Sequence, residues 1–264
     1  MHQFTVNCSI VLTDLPLLDR PRAARDAGFE AVEFWWPFDR AVPAEREVEV
    51  FVSAIDDAGV RLSGLNFAAG DMAAGERGLL SNPSTTGEFR DNVAIAVDIG
   101  KLLGTHGFNA LYGNRVDGLD AAEQDATAVQ NLAFAARTAA EIGAAVLVEP
   151  LSGVPDYPLR RARDAVAVIE AVERDGDVRN VRLLADLYHL YVNGDDVLAA
   201  LDAHADRIGH VQIADAPGRG APGTGEMDIR RYLDRLVASG YDGLIGLEYA
   251  APSVTAFDWL RDRP

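Results

Sequence analysis

One cysteine and one lysine occur among 264 residues, and each scarcity removes a class of chemistry. Cys8 alone excludes an internal disulfide and any zinc site built on cysteines. Set in an apolar opening strand, it reads as a small core residue. All but one of the 24 basic residues are arginine, so a Schiff-base mechanism would rest on Lys101. That lysine lies in an amphipathic run ahead of Gly104, the place of a solvated helix face. Long apolar runs are missing as well. None reaches about eighteen residues, and MHQFTVNCSIVL has no basic segment leading into a long apolar stretch, so a soluble cytoplasmic protein is expected.

Positive charge is scarce beside negative: 24 Lys and Arg stand against 41 Asp and Glu, for a net charge of -17. A phosphate backbone is gripped by Lys and Arg, so nucleic acid and anionic membrane surfaces are poor partners. No glycine-rich phosphate turn follows the first strand, where SIVLTDLP stands, and a dinucleotide fingerprint is therefore absent. Nothing in the sequence decides whether the chain self-associates, and a homo-oligomer is compatible with it.

What is present is repetition. Short apolar runs alternate with longer segments of helical period, in eight pairs. The predicted strands are Phe4 to Cys8, Ala31 to Phe34, Arg61 to Asn66, Phe108 to Leu111, Ala145 to Glu149, Val181 to Asp186, Ile208 to Ile213 and Leu244 to Tyr249. Helical patterns cover Leu15 to Ala27, Pro43 to Ala58, Glu88 to Leu103, Asp120 to Ile142, Arg160 to Glu173, Asp195 to His204 and Asp228 to Ser239, with a last one from Ser253. Gly28, Gly59, Gly104, Gly143 and Gly240 each stand between a helix and the next strand, where a left-handed cap belongs. The longest irregular stretch, Phe67 to Gly87, is a loop after the third strand, and no low-complexity linker divides the chain. Eight βα units over residues 1–264 predict an α/β protein with one (β/α)8 TIM barrel, its active site at the C-terminal ends of the strands.

Barrel strands are buried on both sides, so polar residues at their C-terminal ends carry information. In order these are Asn7, Glu33, Asn66, Tyr112 and Asn114 just past the fourth strand, Glu149, Asp186, Gln212 and Glu248. A buried carboxylate costs several kcal/mol unless it is paired or bound to a cation. Strands five to eight end in VLVEP, RLLADLYH, GHVQIAD and IGLEY, each placing one hard oxygen donor at the barrel mouth. Glu149, Asp186, Gln212 and Glu248 together form an oxygen-rich set suited to Mg²⁺ or Mn²⁺. The competing reading makes each acid the partner of an arginine across the mouth.

Around this set, His189 in DLYH can reach the cavity from the loop after strand six, whereas His210 points deeper into the barrel, as a hydrogen-bonded core residue or an outer-shell one. Arg219 and Glu226 lie on the glycine-rich loop after strand seven, and Glu76 and Arg77 on GDMAAGERG after strand three. The two arginines are the available cations for a substrate carboxylate, because a guanidinium matches that group in bidentate fashion. Trp35 and Trp36 would wall the pocket or lie buried under a loop.

With these residues assembled, the chain resembles the hydroxypyruvate isomerase family within the xylose-isomerase-like barrels. The resemblance spans nearly the whole chain and rests on GFEAVEFWWPF, LNFAAGDMAAGERG, VEP, DLYH, GHVQIADAPGRGAPGTGE and GLEY. It implies a divalent metal on Glu149, Asp186, Gln212 and Glu248, with Glu149 and Glu248 also placed as the acid/base pair. The implied reaction interconverts hydroxypyruvate and 2-hydroxy-3-oxopropanoate, a small carboxylate-bearing hydroxy-oxo acid, with His189, Arg219, Arg77, Asn66 and Glu226 around the substrate. The chain departs from the family pattern at Leu65, where a His is common, and at SGVPDYP after the Glu-Pro, where Asn-His is common. Rival readings are isomerisation of a four-carbon 2-oxo acid such as 2-oxo-tetronate, a sugar 3-epimerase or inosose-processing enzyme, and a non-catalytic sugar-acid binding protein. Gln212, where a histidine is expected, speaks against the epimerase. A DNA-repair endonuclease on this fold would need a zinc cluster that five histidines cannot supply beside so acidic a surface.

Overall fold

The eight apolar runs form eight parallel strands in a computed structural model that describes residues 3–175 and 177–261. They are β1 (Phe4–Asn7), β2 (Ala31–Phe34), β3 (Arg61–Asn66), β4 (Gly107–Asn109), β5 (Ala145–Val148), β6 (Val181–Asp186), β7 (Ile208–Ile213) and β8 (Ile245–Leu247). Each pairs with the next, and β8 pairs back onto β1 through Phe4↔Ile245 and Val6↔Leu247, closing the (β/α)8 barrel.

Among the described residues eight α-helices surround it: α1 (Arg20–Asp26), α2 (Glu45–Ala58), α3 (Thr86–Leu103), α4 (Ala121–Ala140), α5 (Ala162–Asp175), α6 (Leu187–Val192), α7 (Val197–Ala203) and α8 (Ile229–Ala238). Their apolar residues recur at helical spacing and face the strands. Phe51, Ile55 and Ala58 do so on α2, and Ile229, Leu233 and Leu236 on α8. Full burial of a side chain such as Phe51 or Leu236 stabilises the fold by about 1.5–3 kcal/mol.

Several boundaries differ from the sequence-based expectation, among them those of the fourth strand, the first helix and the C-terminal segment. The fourth strand runs Gly107–Asn109 and not Phe108 to Leu111, because its neighbour β3 ends at Asn66, the register partner of Asn109. The first helical segment splits into a 3-10 turn, Leu17–Asp19, and α1, with Pro21 in the first turn of α1, where its missing N–H costs nothing. The helix expected from Ser253 is, among the described residues, only a 3-10 turn at Asp258–Leu260; residues 262–264 lie outside the described residues.

Candidate active site

Four strands deliver their last polar residue to one cup. Asp186 and Gln212 are direct register partners at the ends of β6 and β7, while Glu149 and Glu248 are the first residues past β5 and β8. All four are buried, between 1% and 4% exposed. The acids therefore sit where water cannot stabilise their charge, and their partners decide their state.

Asp186 does two jobs. It is the N-cap of α6, its Oδ1 accepting from the Tyr188 N–H at 2.8 Å, which leaves Oδ2 turned to the cup. Glu149 accepts at Oε2 from Asn109 Nδ2 at 2.7 Å, and its own carbonyl is held by the Tyr157 hydroxyl, which also accepts from the Tyr112 N–H. Glu248 Oε1 accepts from the Trp35 indole at 2.9 Å. One end of the Gln212 amide donates to Glu33 Oε1 at 2.8 Å. Gln212 Oε1 and Glu248 Oε2 are buried and have no hydrogen-bond partner among the described residues.

Arg219 supplies the positive charge. Its guanidinium lies 2.9 Å from Glu248 Oε1 and 3.4 Å from Asp186 Oδ2, over the Tyr188 ring. Its backbone is left-handed, with φ 55°, a conformation a non-glycine residue adopts only when its surroundings hold it. Asp215 does much of that holding. Fully buried, it accepts from the N–H groups of Gly223, Gly225 and Met227 at 2.8–3.0 Å, while its backbone pairs with Gly220. The loop is thus wound around one carboxylate, and Arg219 lies within it. The arginine partner foreseen for the acids is present, but one guanidinium answers to two of them while Glu149 relies on Asn109.

Burial pushes Glu149 well above the ordinary carboxylate range, and the nearby Glu248 and Asp186 charges push it further. Glu248 is raised to about 8, first by burial, against the opposing pull of Arg219. Burial alone would lower Arg219, yet Glu248, Asp186 and Glu149 more than offset that, and it stays charged. A carboxyl raised in the folded state stabilises fully below its unfolded value, about 4.5, and that contribution is lost as pH rises through about 8. Protein freed of divalent ions should therefore lose on the order of 5 °C in Tm between pH 5.5 and pH 9. The fall should shrink in Glu248→Gln; thermal melts in chelator check this, and an equal fall in both proteins would contradict it.

His189 lies on α6, a short helix that the sequence reading had taken for loop. Its Nδ1 accepts from the Ser152 N–H at 3.0 Å, so the neutral ring carries its proton on Nε2, 3.6 Å from Asp186 Oδ2. Burial lowers its pKa to about 4, which keeps the ring neutral at pH 7. Glu149, Asp186 and His189 each offer an atom within 4.8 Å of the others. With Nδ1 engaged by Ser152, the ring presents to the cup a donor and not a lone pair.

The other expected residues are placed elsewhere. Arg77 turns its guanidinium onto the carbonyls of Met72 and Glu76 in its own loop, and Glu76 accepts from the Asp71 N–H. Glu226 is exposed and accepts from the Tyr191 hydroxyl. Asn66 is half-buried at the end of β3 beside Asn109. Asn114 donates to the Gly75 carbonyl. His210 pairs with Glu33 below the cup, as a core hydrogen-bonded histidine. Trp36 bonds to the Arg40 carbonyl, whereas Trp35 belongs to the site. Asn109 is not among the residues that the sequence singles out, whereas Ser152 and Tyr157 lie in SGVPDYP, marked there only as a departure from the family pattern. For Asn109 the signal was there, since an amide in the run GFNALY is costly to bury without a partner.

Comparison with known proteins agrees with the barrel fold. Residues 21–263 match the family model described as xylose isomerase-like TIM barrel. A protein of Streptomyces coelicolor, provisionally named a hydroxypyruvate isomerase, is 51% identical over 98% of this chain and 95% of its own. A 2-oxo-tetronate isomerase of Cupriavidus necator is 34% identical over 99% and 98% of the two chains. Among solved structures, one from Brucella melitensis described as an AP endonuclease, family 2, superposes over 100% of both chains with a TM-score of 0.88 and 32% identity.

Proposed function

The chain belongs to the xylose isomerase-like TIM barrel family, and from that premise we propose an aldose–ketose isomerase that interconverts hydroxypyruvate and 2-hydroxy-3-oxopropanoate at the C-terminal mouth of a single barrel domain spanning residues 1–264. The observation that carries the chemistry is the pair of buried carboxyls, Glu149 raised well above the ordinary carboxylate range and Glu248 raised to about 8, both within reach of the field of Arg219. Such groups are matched to taking and returning a proton near pH 7.

Mg²⁺ or Mn²⁺ fits the residues present. Three carboxylates face one arginine, and the buried oxygens Gln212 Oε1 and Glu248 Oε2 have no hydrogen-bond partner among the described residues, so a cation would satisfy them. Glu149, Asp186, Gln212 and Glu248 would hold it. When bound, such an ion supplies Lewis acidity toward the substrate's carbonyl and neighbouring hydroxyl and stabilises the enediolate charge.

The chain's own residues account for the rest. One of the two glutamates takes the proton from C3 of hydroxypyruvate, the proton of the C3 hydroxyl passes to the C2 oxygen, a carboxyl group returns a proton to C2, and the reverse reaction exchanges the roles. His189 donates from Nε2 to a substrate oxygen, its ring held by Ser152. Arg219, free to leave one of its two acids, binds the substrate carboxylate. Trp35 orients Glu248, and Asn109 orients Glu149.

Proton NMR of chelator-treated protein with hydroxypyruvate in D₂O tests this reading. Conversion should appear only after Mg²⁺ or Mn²⁺ is added, with solvent deuterium on the new C2–H bond. Product free of deuterium would replace the proton route with a hydride shift. No conversion of hydroxypyruvate, but turnover of a four-carbon 2-oxo acid, would move the assignment to the activity for which the Cupriavidus necator relative is named. The endonuclease reading finds no support in the site, because no histidine-rich metal cluster occurs among the described residues and the net charge is -17.

A further inference from the structure

Glu33 takes no part in the proton transfers above, yet it is one of the most expensive residues in the molecule to keep. It is the penultimate residue of β2, with its carboxylate inside the barrel and 3% exposure. It reaches across the lumen to β7, past the intervening β1 and β8, and spends both oxygens there. Oε1 accepts from Gln212 Nε2 at 2.8 Å, and Oε2 lies 2.7 Å from His210 Nε2.

The barrel is built to leave room for this contact. Gly246 on β8 is the register partner of Gln212, and a Cβ there would stand 2.4 Å from Glu33 Oε1 and 2.7 Å from Gln212 Cγ. Gly64 on β3 is the register partner of Glu33, and a Cβ there would stand 3.2 Å from Glu33 Cβ. Glycine costs a strand stability, so two of them flanking one carboxylate mark a close approach that the fold preserves.

The consequence concerns which end of an amide faces the acids. The nitrogen and oxygen of a glutamine differ little in shape, and only their partners tell them apart. Glu33 Oε1 accepts here, so the end of the amide opposite it is the nitrogen. Oxygen is then left at the other end, where Gln212 Oε1 is buried with no hydrogen-bond partner among the described residues. A turned amide would instead set its oxygen against the Glu33 carboxylate and offer the cup an N–H₂.

We infer that Glu33 is the positioning residue for Gln212, locking its amide so that the carbonyl oxygen faces the Glu149–Asp186–Glu248 cup as a cation donor, with Gly246 and Gly64 as the space this lock requires. The inference rests on the reading of Gln212 as a donor to a divalent cation. Outer partners of this kind typically change metal affinity by about 10–100-fold when removed.

The test is Mn²⁺ binding to the full-length protein, followed by the EPR signal of free Mn²⁺, with circular dichroism as the check on folding. Glu33→Met, of similar volume and without an acceptor, should weaken Mn²⁺ by roughly tenfold. Glu33→Gln keeps an oxygen opposite Gln212 and should stay within about threefold of wild type. In a Gln212→Ala background, Glu33→Met should cause no further loss, because its effect passes through the amide. Gly246→Ala, which presses on the same pair while leaving both residues in place, should weaken Mn²⁺ in the wild-type background and not in Gln212→Ala, and it serves if Glu33→Met does not fold. Unchanged affinity in a folded Glu33→Met, or losses that multiply in the double variant, would overturn the inference while leaving the metal site intact. Wild-type protein that binds no Mn²⁺ would sink the metal reading and this inference with it.

Discussion

Glu149→Gln and Glu248→Gln should each lower kcat for hydroxypyruvate by about 10²–10⁴-fold while folding as the wild type does. The substitution keeps the size of each side chain and its ability to accept a hydrogen bond, so Asn109 and Trp35 retain their partners. What it removes is the proton-carrying group. It also removes one member of a set of crowded negative charges, since Glu149 is raised partly by Glu248 and Asp186. Metal-free Glu149→Gln should accordingly melt higher than metal-free wild type at pH 8, even as it loses turnover. Activity and stability moving in opposite directions is the signature of a site strained by its function. Steady-state kinetics with thermal melts in chelator reads both. A Glu149→Gln protein that keeps wild-type kcat would remove Glu149 from the acid/base pair, and the same result for Glu248→Gln would remove Glu248.

Asp215→Ala should be the most damaging change outside the cup. Three backbone N–H groups, those of Gly223, Gly225 and Met227, converge on this buried carboxylate, and alanine would leave them without their acceptor. A loss of about 3 kcal/mol follows from the usual cost of unpaired buried donors. For a domain of this size that is roughly 6–12 °C in Tm. The same loop carries Arg219 in its left-handed conformation, so turnover should fall even at temperatures where the variant is folded. Because Arg219 is assigned to the substrate carboxylate, KM should rise along with the fall in kcat. Asp215→Asn, which can still accept two of the three bonds, should lie between wild type and alanine in both measurements. Wild-type Tm and KM in Asp215→Ala would show that the loop is held by other contacts.

Periodicity was enough for the barrel. Alternating short apolar runs and helical segments can bury their faces together only as repeated βα units, and all eight strands fall within two residues of where the pattern places them. The acids at the ends of strands five to eight were legible for a similar reason: a carboxylate in an apolar run is expensive, and four polar ends in succession are hard to explain one by one. The fourth strand shows the limit. The pattern predicts its end two residues beyond the observed one, which makes Tyr112 and Asn114 the strand-end polar residues and leaves Asn109, which holds Glu149, inside the apolar run.

Partner choice is what the linear pattern does not contain. Arg77 and Arg219 look alike as arginines on glycine-rich loops, but Arg77 is consumed by carbonyls of its own loop while Arg219 is turned inward by a loop wound around Asp215. Ser152 selects the tautomer of His189, and Glu33 selects the face of Gln212, from 37 and 179 residues away along the chain. The composition and spacing of the sequence by themselves determined the barrel and the buried acid set. The tertiary structure alone decided which cation meets the acids and which end of each amide and imidazole faces them, because those choices are made by hydrogen bonds between strands and loops that only closure of the barrel brings together.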